Sequence, residues 1–174
     1  MRKVEVFSDY ENWKLMFKEE ARKLKSIFGN EILHIHHIGS TSVPELKAKP
    51  IIDILPVVRE IHIVDNFIDE MKYIGYESKG ENGITGRRYF QKGGDNRTHH
   101  VHIYQFGSYE IKRHLAFRDY LLVHPEVKDS YGQLKEKLAE KFPYDVESYI
   151  SGKEPLVKEI EVIALEWYKE DEYI

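Results

Sequence analysis

The run Ile51-Ile52-Asp53-Ile54-Leu55-Pro56-Val57-Val58 constrains this chain more than any other stretch. Eight residues with a single charge read as a strand covered on both faces. Such a strand sits inside a sheet, so the chain must supply strands beside it and layers above and below. The carboxylate is then the anomaly. An ionised Asp53 there is costly unless it is paired, hydrogen-bonded or bound to a cation. Two readings stand. Asp53 is a structural acid accepting hydrogen bonds from the preceding turn, or it holds a cation that carries substrate phosphates.

The neighbouring patterns supply those layers. Trp13, Phe17, Ala21, Leu24 and Phe28 recur near the 3.6-residue helical period, after a Ser8–Glu11 capping-box spacing and before Gly29-Asn30, which predicts a helix over 9–28. Strands are expected over 31–38 and 50–58, joined by a turn over 39–49 with one short helical turn near 43–46. A helix is expected over 63–74, closed by Gly75. Strands over 87–91 and 99–106 flank a hairpin loop, 92–97. Beyond Gly107 the pattern turns helical, with helices over 109–123, 125–142, 146–150 and 154–168. Pro125 suits a first helical turn. No Gly/Ser/Pro-rich linker divides the chain. The expectation is one α+β unit over 1–174, with a mixed part (1–107) and a helical part (108–174).

Length and composition narrow the function. The chain has 174 residues and a net charge of −4, so extensive nucleic-acid binding is not expected. The absence of cysteine removes disulfides, thiolate metal sites and a cysteine nucleophile, and fits a cytoplasmic protein. No apolar run approaches the ~20 residues of a membrane span, and no secretory signal is expected at the start.

Four constellations can carry chemistry. Gly39-Ser40-Thr41-Ser42 follows a strand, and its small residues would let a phosphate approach backbone N–H groups. The same residues also make an ordinary strand-to-helix turn, and they are not a P-loop. In Thr98-His99-His100-Val101-His102, His100 and His102 share a strand face about 6.6 Å apart at Cα, so one cation can bridge them with a third ligand. A hydrogen-bonded histidine pair is the alternative. His34 and His36 repeat the spacing, with His37 opposite. Arg87, Arg88 and Arg97 can neutralise phosphates or form a solvated charged hairpin. Gly80 to Gly86 holds three glycines and is a lid or a long turn. His114 and Arg118 share a helix face that points at the sheet or at solvent, beside a core stripe of Leu115, Phe117, Leu121 and Leu122.

Together, His37-Ile38-Gly39-Ser40-Thr41-Ser42-Val43-Pro44 and Ala48-Lys49-Pro50-Ile51-Ile52-Asp53-Ile54 resemble the GrpB family of bacterial proteins. Arg88-Tyr89-Phe90, His99 to His102, Phe117 to Leu121, His124-Pro125-Glu126, Tyr131 and Leu134-Lys135 continue the resemblance over nearly the whole chain. It implies a nucleotidyltransferase-like mixed β-sheet with flanking helices and a C-terminal helical segment. In that superfamily a Gly-Ser turn holds nucleotide phosphates, and an acid-apolar-acid triplet on the next strand holds metal. Gly39 and Ser40 match the turn and Asp53 the first acid. The second acid is replaced by Leu55, and the strand where a third would lie offers His100 and His102.

The resemblance thus implies a phosphate-bearing ligand, a nucleotide or coenzyme-like molecule, bound by Gly39, Ser40, Thr41, Ser42, Lys49 and Arg88. Asp53, His100 and His102 are the metal candidates, and Asp53 and His102 the catalytic ones. Mg, Mn and Zn are the candidate ions, with histidines favouring the softer ones. The family's fusion to a dephospho-coenzyme A kinase in some bacteria points to the same ligand classes. Nucleotidyl transfer, ligand binding without turnover and a histidine-centred metal-dependent hydrolase are the competing readings.

Overall fold

The computed structural model describes residues 3–168; the outermost residues of the expected 1–174 unit lie outside that range. Helix α1 (Tyr10–Phe28) is followed by β1 (Ile32–Ile38), β2 (Ile52–Val58), α2 (Ile68–Tyr73), β3 (Tyr76–Ser78), β4 (Arg88–Lys92) and β5 (His99–Gln105). Helices α3 (Tyr109–Val123), α4 (Pro125–Lys141) and α5 (Val146–Trp167) complete the described chain. The five strands form one sheet in the order β1-β2-β5-β4-β3. β2 and β5 run parallel, and the other neighbours are antiparallel. The apolar run is therefore a central strand, and the α+β expectation with a mixed sheet holds.

Each face of the sheet carries its own layer. On one face Ile52, Ile54, Phe90, Val101 and Ile103 pack with Trp13, Leu24 and Phe28 of α1 and Met71 of α2. On the other, Ile38, Leu55, Val57 and Tyr104 pack with Ile111 and Leu115 of α3. A third cluster joins α3, α4 and α5 to the loop before β2 through Val43, Leu46, Leu121, Tyr131 and Ile160. These interfaces make the helical part a cover for one sheet face.

Several element boundaries differ from the sequence expectation. Residues 146–167 are one helix rather than two, although Pro155 lies inside it. Gly152, in the gap expected between the two helices, is a contact point: a Cβ there would lie 2.5 Å from Leu138 Cδ2 of α4. The expected helix over 63–74 is a 3₁₀ segment (Ile61–Phe67) followed by the short α2. Strand β3 leaves little trace in the sequence, because three residues show too little alternation. Asp9, not Ser8, occupies the N-cap position of α1; its side chain accepts from Asn12 Nδ2 at 3.3 Å rather than from a helix N–H. Leu122, expected in the core stripe of α3, is 44% exposed.

Candidate functional site

The sheet's register assembles the site. Asp53 on β2 is opposite Ile38 on β1 and beside His100 on the parallel strand β5. Side chains two apart on a strand share a face, so His102 joins His100 there. His102 Nε2 lies 3.1 Å from Asp53 Oδ1, and His100 Nδ1 lies 3.5 Å from the same oxygen. The carboxylate stays 27% exposed. Burial alone would raise its pKa, but the hydrogen bonds and charge of His100 and His102 outweigh that and hold it well below the ordinary range.

The Gly-Ser turn closes over this group. Ser40 to Ser42 form a 3₁₀ turn straight after β1, and a separate turn spans Val43 to Leu46. Gly39 adopts φ +72°, and a Cβ on it would stand 2.6 Å from Asp53 Oδ2. Only glycine tolerates both the conformation and the approach. Ser42 Oγ donates to Gly39 O at 2.5 Å, and His37 Nε2 lies 2.9 Å from Thr41 Oγ1. The turn is thus held by its own side chains, leaving Ser40 to face the site.

Two groups the sequence did not single out individually complete that side. Lys135 on α4 is 1% exposed, and its Nζ donates to Ser40 Oγ at 2.7 Å. Burial raises the pKa of Tyr131, one turn earlier on α4, to about 12, opposed by a hydrogen bond to Ser40. Lys153 on α5 and Lys49 before β2 each stand over the Tyr149 ring, at 5.5 and 5.3 Å. A cavity of about 170 Å³ is lined by Ser40, Thr41, Lys49, Asp53, Lys135 and Lys153, with His100 and Tyr149. A second cavity, about 340 Å³, shares Lys49, Ile51 and His100 with it and runs toward Asp95 and Arg97 of the β4–β5 loop. Lys135 and Lys153 did leave a signal. Each occupies an apolar-stripe position, in Tyr131-Lys135-Leu138 and in Tyr149-Lys153-Ile160.

The arginines divide. Arg88 points to the opposite sheet face and pairs with Asp65, Nε to Oδ1 2.7 Å and Nη2 to Oδ2 3.2 Å. The structure does not bring it to the turn, because β-strand alternation gives the site face to its neighbours. Arg87 is buried instead, with Nη1 3.5 Å from His102 Nδ1. It donates to the carbonyls of Glu81 and Asn82, so the glycine-rich loop is wrapped around a guanidinium.

The helix face carrying His114 and Arg118 looks inward. The His114 ring lies 5.6 Å from that of His102, and Arg118 Nη1 donates to His37 O at 3.2 Å. Burial, aided by the charges of Arg113 and His102 and opposed by Asp53, holds His114 well below the ordinary histidine range.

The donor set fits one cation. One atom each from Asp53, His100 and His102 lies within 4.8 Å of the others. His100 Nε2 is buried with no hydrogen-bond partner. Two imidazoles and one carboxylate suit Zn or Mn better than Mg, which takes oxygen ligands. Leu55 lies two residues after Asp53 with no exposed surface, enclosed by Tyr104, Ile111 and Leu115. A second acid there would sit in an apolar core.

Comparison with known proteins gives a consistent picture. A family model described as GrpB protein matches residues 3–162. The UPF0157 protein YqkA of Bacillus subtilis is 53% identical over 168 residues, which is 97% of this chain and 49% of YqkA. The chain therefore spans about half the length of that relative. The crystal structure of conserved protein GrpB from Enterococcus faecalis superposes with a TM-score of 0.91 at 49% identity, covering 95% of this chain and 99% of that one. Cid1 poly(U) polymerase shares the fold, with a TM-score of 0.55 at 15% identity over 78% of this chain and 43% of Cid1. A dephospho-CoA kinase of Mycobacterium leprae is 26% identical over 89% of this chain and 45% of its own length. Among the described residues, no helix is long and apolar enough to cross a membrane.

Proposed function

The chain belongs to the GrpB family, and from that premise we propose that it binds the phosphates of a nucleotide or coenzyme-like ligand at the Gly39–Ser42 turn and supports metal-assisted nucleotidyl transfer. One observation carries this reading. Ser40 and three lysines, Lys49, Lys135 and Lys153, line the same cavity as Asp53. Lysine ammonium groups are phosphate partners, and a cation on the adjoining carboxylate would face the same phosphates. The larger neighbouring cavity gives the rest of the ligand room.

In this reading Asp53, His100 and His102 would hold a single divalent ion, which would supply positive charge beside a phosphate. His102 holds its place between Asp53 and Arg87. A guanidinium only donates, so Arg87 favours the imidazole form with a bare Nδ1 and a proton on Nε2. An ion at Nε2 would require that proton to sit on Nδ1 instead, where it faces the donor-only Arg87.

The burial of Leu55 favours a second reading, ligand binding without turnover. Enzymes that use two metals hold both the attacking and the leaving oxygen, and the described residues offer one ion's worth of ligands. A thermal-shift panel of nucleoside triphosphates and coenzyme A, each with and without Mg²⁺, Mn²⁺ and Zn²⁺, separates the two. A ligand that binds only the folded state raises the melting temperature. Metal-dependent shifts abolished in Asp53→Asn, with pyrophosphate released as the nucleotidyl group passes to a hydroxyl of an added small molecule or protein, support transfer. Metal-independent shifts without product support the binding module. No shift with any ligand would refute both.

A further inference from the structure

Three lysines facing one small cavity pose a charge problem. Asp53 is the one carboxylate among the lining residues, and His100 and His102 already surround it. Lys49 and Lys153 reach the cavity from a loop and from α5. Lys135 is different, because it is sealed in. Its Nζ donates to Ser40 Oγ at 2.7 Å and stands 4.4 Å from the centre of the Tyr131 ring. No carboxylate lies within ion-pairing distance of it among the described residues.

The groups that face Lys135 come from every surrounding element. Ser40 comes from the turn, Tyr131 from its own helix, Asp53 from β2, His100 from β5, Lys49 from the loop before β2, and Tyr149 and Lys153 from α5. A buried ammonium needs a counter-ion to offset its lost hydration. Burial first, then the charges of Lys153 and Lys49, push Lys135 well below the ordinary lysine range, and Asp53 alone opposes them. A polyphosphate beside Nζ supplies the missing counter-charge and favours the ammonium.

Resting on the phosphate-site reading above, we infer that Lys135 stands neutral in the ligand-free protein and takes up a proton when a polyphosphate binds. Lys135 is then a specificity-determining residue. A ligand with several negative charges recovers the cost of charging it, and a neutral or weakly charged molecule does not. The coupling also fixes a direction. Binding that takes up one proton weakens about tenfold per pH unit between the ligand-free and ligand-bound pKa of the group.

Titration calorimetry with a nucleoside triphosphate (ATP), whose phosphate chain is already fully ionised at the working pH, tests this on the whole, metal-free protein. It is run near pH 8.5, about two units above ordinary histidine titration, in buffers of different ionisation enthalpy. The expected result is a binding heat that varies with the buffer in proportion to about one proton taken up per site. The Lys135→Met variant is expected to lose that dependence. Because Lys135→Met removes a buried group, the wild-type ¹³Cε resonance of Lys135 gives a second readout, moving from its neutral to its charged position on adding ATP. Binding with buffer-independent heat, an unchanged ¹³Cε signal, or equal uptake in Lys135→Met would overturn the inference while leaving the phosphate site standing. Failure of ATP to bind, by heat and by thermal shift alike, would overturn the phosphate site as well.

Discussion

Gly39 packs against Asp53 so closely that residue 39 has no space for a methyl group: a Cβ would lie 2.6 Å from Oδ2 and 3.2 Å from the Asp53 Cβ. Turn and carboxylate are thereby one unit.

Gly39→Ala therefore carries two penalties, a positive φ and a displaced carboxylate. Gly80 has a similar φ of +60°, but a methyl group there would meet nothing within 4 Å. Gly80→Ala is expected to cost about 1 kcal/mol, the left-handed penalty alone. Gly39→Ala is expected to cost about 3 kcal/mol or more, since strain and a buried clash add. Urea denaturation of both variants checks the difference. Equal losses would show that the contact is relieved easily.

Leu55 is the position where a second acid would complete a metal-binding pair. Leu55→Asp puts a carboxylate among Ile38, Val57, Tyr104, Ile111 and Leu115. The expected result is a loss of about 4 kcal/mol or more in stability, with no gain in metal affinity. Leu55→Ala, which removes packing without adding charge, should lose about 2–5 kcal/mol. A stable Leu55→Asp protein that binds a second ion would refute this account of the site.

The two adjacent arginines should separate cleanly. Arg88→Gln breaks a partly exposed pair with Asp65 and is expected to change stability by less than about 1 kcal/mol. Arg87→Gln replaces a donor-only group near His102 Nδ1 with one whose carbonyl can accept an N–H, the partner that a metal-bound imidazole normally has. Zn²⁺ affinity should rise by about tenfold. The loop over 81–86 loses its anchor at the same time and should be cut faster by protease. Competition with a chelating dye measures the first effect and limited proteolysis the second. A fall in Zn²⁺ affinity would mean that Arg87 supports metal binding.

His37 supplies an acid limb to stability. It stacks on Phe17 at 4.8 Å, and burial, opposed by Asp53 and reinforced by Arg118, lowers its pKa to about 4. An unfolded histidine titrates near 6.5. Between those values the unfolded chain holds the proton and the folded chain does not. The His37 share of stability should therefore fall by about 3 kcal/mol as pH drops from about 6.5 to about 4. His37→Gln should make that part of the profile shallower by that share, leaving the part that belongs to His114. Urea midpoints of both proteins at about pH 7, 6 and 5 would reveal it. Parallel profiles would assign the loss to other groups.

How far the sequence could be read follows from the range of the interactions. The strand around Asp53, the helix around Trp13 and the histidine alternation on β5 are local patterns, and all three were legible. That Asp53, His100 and His102 meet depends on β2 and β5 being parallel neighbours, which periodicity does not state. Arg88 looked as suitable as Arg87, because one residue of strand phase decides which of them faces the turn. Lys135 was harder still. Its role depends on α4 crossing over Ser40, 95 residues earlier in the chain, and its trace in the sequence is a charge on an apolar stripe.

The cation ligands all belong to the sheet, whereas two of the three lysines belong to α4 and α5. The two binding events therefore report on different stages of assembly. As the chain is loosened by denaturant, separation of the helical cover from the sheet would erase polyanion affinity while the Asp53–histidine cluster still captured its ion. The ratio of the two affinities is a gauge of whether the molecule's two parts are docked.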